Sequence, residues 1–172
     1  MFKKILIANR GEIAVRIIRA CKELNINTVA IHSDVDTDSM HVKLADESIC
    51  VGGASPNISY LNIPNIISAI NITGADAVHP GYGFLSENDK FAEILRKHDV
   101  KFIGPSSDSI LALGNKSNAL KLAYDYDLPI LGDKNAKNIN SINDALKVAK
   151  EIGFPIVIKA SYGGGGKGMR VF

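Results

Sequence analysis

Residues 3–32 switch twice between two hydrophobic periods. Lys3–Ala8 reads KKILIA, a short apolar run rich in β-branched side chains, and this predicts a buried strand. Glu12–Leu24 sets apolar side chains at 13, 14, 17, 18, 21 and 24, the stripe of an amphipathic helix. Asn27–His32 (NTVAIH) returns to strand. Strand, helix and strand within about thirty residues make a βαβ unit, which demands parallel strands and a right-handed crossover.

The alternation continues. Glu47–Val51 predicts a strand, Ile63–Ile72 a helix, Asp76–His79 a strand, Asn88–His98 a helix and Lys101–Ile103 a strand. Repeated alternation of this kind predicts an α/β fold, a Rossmann-like, mostly parallel sheet covered by helices on both faces. After Gly104-Pro105 the rhythm changes to two successive helices, Ser107–Leu113 and Lys116–Tyr126. Polar Gly132–Asn140 has linker character, and a helix over Ser141–Ile152 follows with Ser141 as its N-cap. Pro155–Ala160 and Met169–Phe172 predict strands. The boundaries expected are a domain over 1–103, connecting helices over 104–130, and the opening of a second domain over 131–172.

The 172 residues suffice for one domain and part of another. A net charge of +2 gives no reason to expect nucleic acid or a membrane surface as partner, and no apolar run approaches a membrane span. Cys21 and Cys50 sit in apolar contexts, and MFKKILIANR does not read as a signal peptide. Both thiols are therefore expected to be buried and reduced in a cytoplasmic protein.

The densest chemical signal is KASYGGGGKGMRVF, residues 159–172. It is not a phosphate-binding P-loop, because Ser161 and Gly168 stand where that pattern needs Gly and Ser/Thr. Gly163, Gly165 and Gly168 satisfy G-x-G-x-x-G, but strands rather than a strand and a helix flank them, so the dinucleotide reading fails. A glycine hairpin between strands can converge backbone N–H groups on phosphate oxygens and close as a lid, with Lys167 adding charge. Lys159, pointing inward from an apolar strand, would need an anion to offset its desolvation. The alternative is a mobile surface hairpin.

The first strand-to-helix turn, IANRGEI, carries the single glycine Gly11, too few for a pyrophosphate, so this domain is not expected to bind NAD. Glu12, Arg16, Arg19 and Glu23 share one outward face of helix 12–24. That spacing fits an exposed salt-bridged stripe or a self-complementary dimer interface. His79–Asn88, HPGYGFLSEN, follows a strand at the carboxyl edge of the sheet, where open α/β folds place ligands. It can also be read as a tight structural turn, with Ser86 capping the next helix and His79 a hydrogen-bonded core residue.

Together IANRGEIAVRIIRACKEL, HPGYGFLSEN, FIGPSSDSI, GNK and KASYGGGGKGMRV, in this order and spacing, resemble biotin carboxylase, the ATP-grasp component of biotin-dependent carboxylases. The resemblance spans essentially the whole chain. It implies a Rossmann-like (pre-ATP-grasp) domain followed by the start of an ATP-grasp domain, here the lid subdomain. It implies ATP-dependent carboxylation of biotin by bicarbonate through carboxyphosphate, with Mg2+ or Mn2+ bridging the phosphates. By position, Lys116 and Lys159 correspond to the family's ATP lysines. Gly163, Gly164, Gly165, Gly166, Lys167 and Gly168 correspond to the glycine lid, and Met169 falls near the adenine. His79, Tyr82, Gly83 and Glu87 become supporting residues of the active-site floor, and Arg16, Arg19 and Glu23 a homodimer interface. The partners implied are a biotin carboxyl carrier protein or domain and a carboxyltransferase.

The chain departs from the pattern at Asn115, where Asp is usual, at Leu131-Gly132-Asp133 and at Ser161-Tyr162. No catalytic residue and no metal-ligating carboxylate cluster is assignable within 1–172, so these residues alone are expected not to turn over. The competing expectations are another ATP-grasp ligase, such as a carbamoyl-phosphate ligase, and a non-catalytic dimerisation or truncated module.

Overall fold

The computed structural model describes residues 1–129, 139, 141–159 and 168–172. They form two compact units, Met1–Ile110 and Leu111–Phe172.

The first unit is built on five parallel strands: β1 (Lys4–Ile7), β2 (Asn27–Ser33), β3 (Glu47–Gly52), β4 (Ala77–His79) and β5 (Lys101–Phe102). Their order in the sheet is β3-β2-β1-β4-β5. Register pairs Leu6 with Val29 on one side and with Val78 on the other, so β1 is central and buried. Chain direction across the sheet reverses beside β1, between it and β4, which makes their carboxyl ends the topological switch point.

Period-two alternation along β1 feeds two cores. Ile5 and Ile7 pack with Ala14, Ile17, Ile18 and Cys21 of α1 (Gly11–Glu23). Leu6 and Ala8 pack on the other face with Ile66, Ala69 and Ile70 of α3 (Ile63–Thr73), and with Phe91, Ala92 and Leu95 of α4 (Asp89–Lys97). Each apolar stripe read from the sequence thus covers one face of the sheet. A short helix, α2 (Met40–Leu44), and two single 3-10 turns, Asp34–Asp36 and Pro56–Ile58, were not legible from hydrophobic period.

Helix ends follow local chemistry. α3 begins with Asn62 accepting the Asn65 N–H and with Pro64 in its first turn, and it stops at Gly74 in a left-handed conformation. For α4, the expected cap at Ser86 is wrong. Asn88 is the N-cap, its Oδ1 accepting the Phe91 N–H at 2.8 Å, because Ser86 lies in a turn closed by its own N–H onto the Gly83 carbonyl. The expectation of two buried thiols also needs correction. Cys21 is buried, but Cys50 is exposed, because it alternates away from the core on β3, the edge strand of the sheet.

In the second unit α5 (Ser107–Gly114), which starts in the first, leads to α6 (Lys116–Asp125) and α7 (Ile142–Ile152). Ser141 caps α7 as expected, accepting the Asp144 N–H at 3.1 Å while donating its hydroxyl to the Asp144 carboxylate at 2.7 Å. Strands β6 (Val157–Lys159) and β7 (Met169–Val171) form an antiparallel ribbon in the register Val157 to Val171 and Lys159 to Met169. No helix among the described residues is long and apolar enough to cross a membrane.

Candidate functional site

The sheet's carboxyl edge, at the switch point, is assembled from the turn after β1 and the loop after β4. Asn9, only 4% exposed, joins them. Its Nδ2 donates to the carbonyls of Pro80 and Tyr82, each at 2.8 Å, and its Oδ1 accepts the Arg10 N–H at 2.8 Å. The loop it holds bends sharply: Gly81, Gly83 and Phe84 all have positive φ, at 64°, 68° and 41°. A side chain at Gly81 would put its Cβ 2.8 Å from Asn9 Nδ2.

His79 ends β4 and is half-buried. Its Nδ1 accepts the Gly81 N–H at 3.0 Å, so the ring carries its proton on Nε2. Burial lowers its pKa, which keeps it neutral. This matches the hydrogen-bonded reading of His79. Tyr82 is exposed, and its hydroxyl donates to the Glu12 carboxylate in the first turn of α1, a bond that raises the phenol's pKa. Glu87 lies in the same loop, just before the Asn88 cap.

A second cluster braces this loop from β2. Tyr60 is fully buried, and its hydroxyl donates to Asp36 at 2.6 Å while accepting the Ser33 N–H at 3.0 Å. Asp36 also accepts from the Ser33 hydroxyl at 2.9 Å and from the Arg10 guanidinium at 3.0 Å. Arg10 lies over the Tyr60 ring at 5.4 Å, and Phe84 stacks on that ring at 5.2 Å with planes 13° apart. Burial and the bond to Asp36 push the Tyr60 phenol up to about 12. Burial alone would raise Asp36, but the hydrogen bonds from Tyr60, Ser33 and Arg10 outweigh it and hold the carboxyl below the usual range.

Arg16, Arg19 and Glu23 line an open groove of ≈ 810 Å³ along α1, with Glu12, Met40 and His41 among the other residues of its wall. Among the described residues no ion pair joins Glu12, Arg16, Arg19 and Glu23, so the self-contained salt-bridged stripe is not what this face forms. In the second unit Lys116 opens α6, and Lys159 ends β6 opposite Met169. Lys159 is exposed, not pointed into an apolar interior, because the β6–β7 ribbon leaves both its faces open among the described residues. Gly168, at φ 78°, leads into β7. Gly163, Gly164, Gly165, Gly166 and Lys167 lie outside the described residues, as do Leu131-Gly132-Asp133 and Ser161-Tyr162. No group of three or more potential metal-ligating His, Cys, Asp or Glu side chains occurs among the described residues.

Asn9, Asp36, Tyr60 and Phe84 were not singled out by sequence reasoning. Asn9 stands in the quoted IANRGE turn, but its partners are 71 and 73 residues away. No local pattern signals such a contact.

The family model for the biotin carboxylase N-terminal domain matches residues 1–110. The chain belongs to that family. Residues 115–172 match the ATP-binding domain of the carbamoyl-phosphate synthase L chain. The chain is 55% identical over 171 residues to the biotin carboxylase of Haemophilus influenzae and 54% identical over 170 residues to the mitochondrial propionyl-CoA carboxylase alpha chain of Rattus norvegicus, in each case over 99% of its own length. It spans 38% of the first and 23% of the second. Among solved structures, a Campylobacter jejuni biotin carboxylase–β,γ-ATP complex matches 99% of this chain and 38% of its own, with a TM-score of 0.95 and 47% identity. The biotin carboxylase domain dimer of Hydrogenobacter thermophilus 2-oxoglutarate carboxylase, with MgADP, ADP and bicarbonate, matches 99% of this chain and 37% of its own, at a TM-score of 0.92 and 44% identity.

Proposed function

We propose that this chain is the N-terminal part of a biotin carboxylase, an enzyme that uses ATP to carboxylate carrier-bound biotin with bicarbonate. The observation that carries this reading is the match to the Campylobacter jejuni nucleotide complex at a TM-score of 0.95 over 99% of the chain. The match of residues 1–110 to the biotin carboxylase N-terminal model favours it over another ATP-grasp ligase, although the second half shares its model with carbamoyl-phosphate synthase.

Within this reading Lys116, Lys159, the glycines from Gly163 to Gly166, Lys167, Gly168 and Met169 take the nucleotide. The division is a Rossmann-like domain over 1–103, connecting helices over 104–130 and the start of the lid over 131–172. An exposed ammonium at Lys159, opposite Met169 in the ribbon, suits phosphate, which a flexible lysine meets as a point charge. Mg2+ or Mn2+ would neutralise phosphate charge, and no described cluster offers to hold it. His79, Tyr82, Gly83 and Glu87 form the floor. The groove at Arg16, Arg19 and Glu23 is the face of a homodimer, which the Hydrogenobacter thermophilus dimer supports by likeness. A biotin carboxyl carrier protein or domain and a carboxyltransferase are the partners, and the location is cytoplasmic.

The test is kinetic. In the carboxylase that carries these residues, Lys159→Ala raises KM for ATP about tenfold or more, the scale of one charge-assisted phosphate contact. An unchanged KM for ATP in both Lys159→Ala and Lys116→Ala would overturn the assignment.

A further inference from the structure

Gly81, Gly83 and Phe84 all lie in or near the left-handed region within four residues, with only Tyr82 among them outside it, and one of the three is an aromatic residue at φ 41°. A non-glycine residue in that region costs free energy and persists only where its surroundings over-determine it. Here the surroundings are specific. Asn9 ties down the carbonyls on both sides of Gly81, and the Tyr60 ring holds Phe84 from below. Tyr60 is itself fixed by Asp36 and Ser33. Asn9 is in turn oriented by the Arg10 N–H on its Oδ1, which leaves both Nδ2 protons to point at the loop. A Cβ at Gly81 would crowd the Asn9 amide, which makes the two positions interdependent.

We infer that Asn9 is a positioning residue for the floor of the site. Its amide fixes the 80–84 turn, so that Tyr82 and Gly83 are presented in one conformation over the carboxyl ends of β1 and β4. The inference rests on the reading of Tyr82 and Gly83 as floor residues, but its mechanism is a hydrogen-bond clamp that exists without any ligand. It acts through the two carbonyls it holds.

Asn9→Asp tests this with little change of shape. It removes both donors at neutral pH and sets a carboxylate against two carbonyl oxygens, yet in acid the introduced carboxyl regains one O–H donor. Amide hydrogen exchange of residues 81–86 is measured in the whole protein that carries these residues, without nucleotide or biotin, each value divided by wild type at the same pH. That division cancels the titration of His79, which accepts the Gly81 N–H. The expected result is a loss of protection of about tenfold at neutral pH, the scale of one or two lost buried hydrogen bonds, with recovery as pH falls through the pKa of the introduced carboxyl. Gly81→Ala, which leaves the Asn9 amide intact but drives a methyl group against it, should lower protection at every pH without acid recovery. Unchanged protection in folded Asn9→Asp, or an equal loss at neutral and acid pH, would overturn the inference. Because no ligand is present, that outcome is separate from a failure of the ATP test on Lys159.

Discussion

Replacing Tyr60 by Phe removes one oxygen and leaves the ring that stacks on Phe84. Two things are lost. Ser33, fully buried, no longer has an acceptor for its N–H, and Asp36 loses its shortest donor, at 2.6 Å. A buried N–H without a partner costs about 1–3 kcal/mol, and a hydrogen bond to an ionised group is worth about 1.5–3 kcal/mol. These overlap, because Asp36 keeps Ser33 and Arg10, so the expected total is roughly 2–4 kcal/mol. For a unit of this size each kcal/mol moves the melting temperature by roughly 4 °C, which predicts a fall of about 10 °C at pH 7. The acid side gives a second check. Asp36 has a folded pKa below its unfolded value of about 3.9, so its contribution is present above that value and is lost as pH falls through the folded one. The gap between wild type and Tyr60→Phe, followed by circular dichroism, should therefore be full at pH 7 and narrow below about pH 4. A gap under about 3 °C at pH 7, on the same scale, or one of constant size into acid, would mean that the Tyr60 hydroxyl does not hold Asp36 and Ser33 as described.

Gly52 has φ 147°, and a Cβ there would lie 1.9 Å from the Ile58 carbonyl oxygen. Gly52→Ala should cost about 3 kcal/mol or more in urea unfolding, since backbone rather than a flexible side chain must move; a loss below about 1 kcal/mol would contradict this. His41 is 1% exposed, Nε2 meets the Ile31 carbonyl, Nδ1 has no partner among the described residues, and burial lowers its pKa. The chain should lose stability as pH drops below about 6.5, where the unfolded imidazole takes up a proton that the folded one resists. The drop between pH 7 and 5 should be smaller in His41→Gln, and an equal drop would remove His41 from the explanation. Of the two thiols, Cys50 should react with a thiol reagent at once in the native protein. Cys21, buried and with its pKa raised by burial, should react only on unfolding; two fast thiols would count against the packing of α1 on β1.

The sequence carried the α/β alternation because each strand and helix advertises its own period: Ile5, Leu6 and Ile7 alternate between faces, and Ile17, Ile18 and Cys21 fall on one helical stripe. Motif order also carried the family. What stayed hidden depends on contacts distant in sequence. Asn9 and Pro80 meet only because β1 and β4 are neighbours in the sheet, and Tyr60, two residues beyond the Pro56–Ile58 3-10 turn, reaches Asp36 from a stretch without periodic signal. Ser86 misled because it satisfies the capping pattern as well as Asn88 does, and only the turn at Gly83 decides between them. Lys159 misled for a different reason. Alternation predicts which side of a strand a residue occupies but not whether anything covers that side, and in β6 nothing described does.

We propose that these residues belong to an enzyme that carboxylates biotin. The most direct measurement is transfer of labelled carbon from bicarbonate to biotin by the protein retrieved from its own cells with an antibody against this chain, with and without ATP. Acid-labile label should appear on biotin only when ATP is present, and Lys159→Ala should raise the ATP concentration that labelling needs. ATP hydrolysis by the retrieved protein that is indifferent to biotin, with no label transferred, would contradict it.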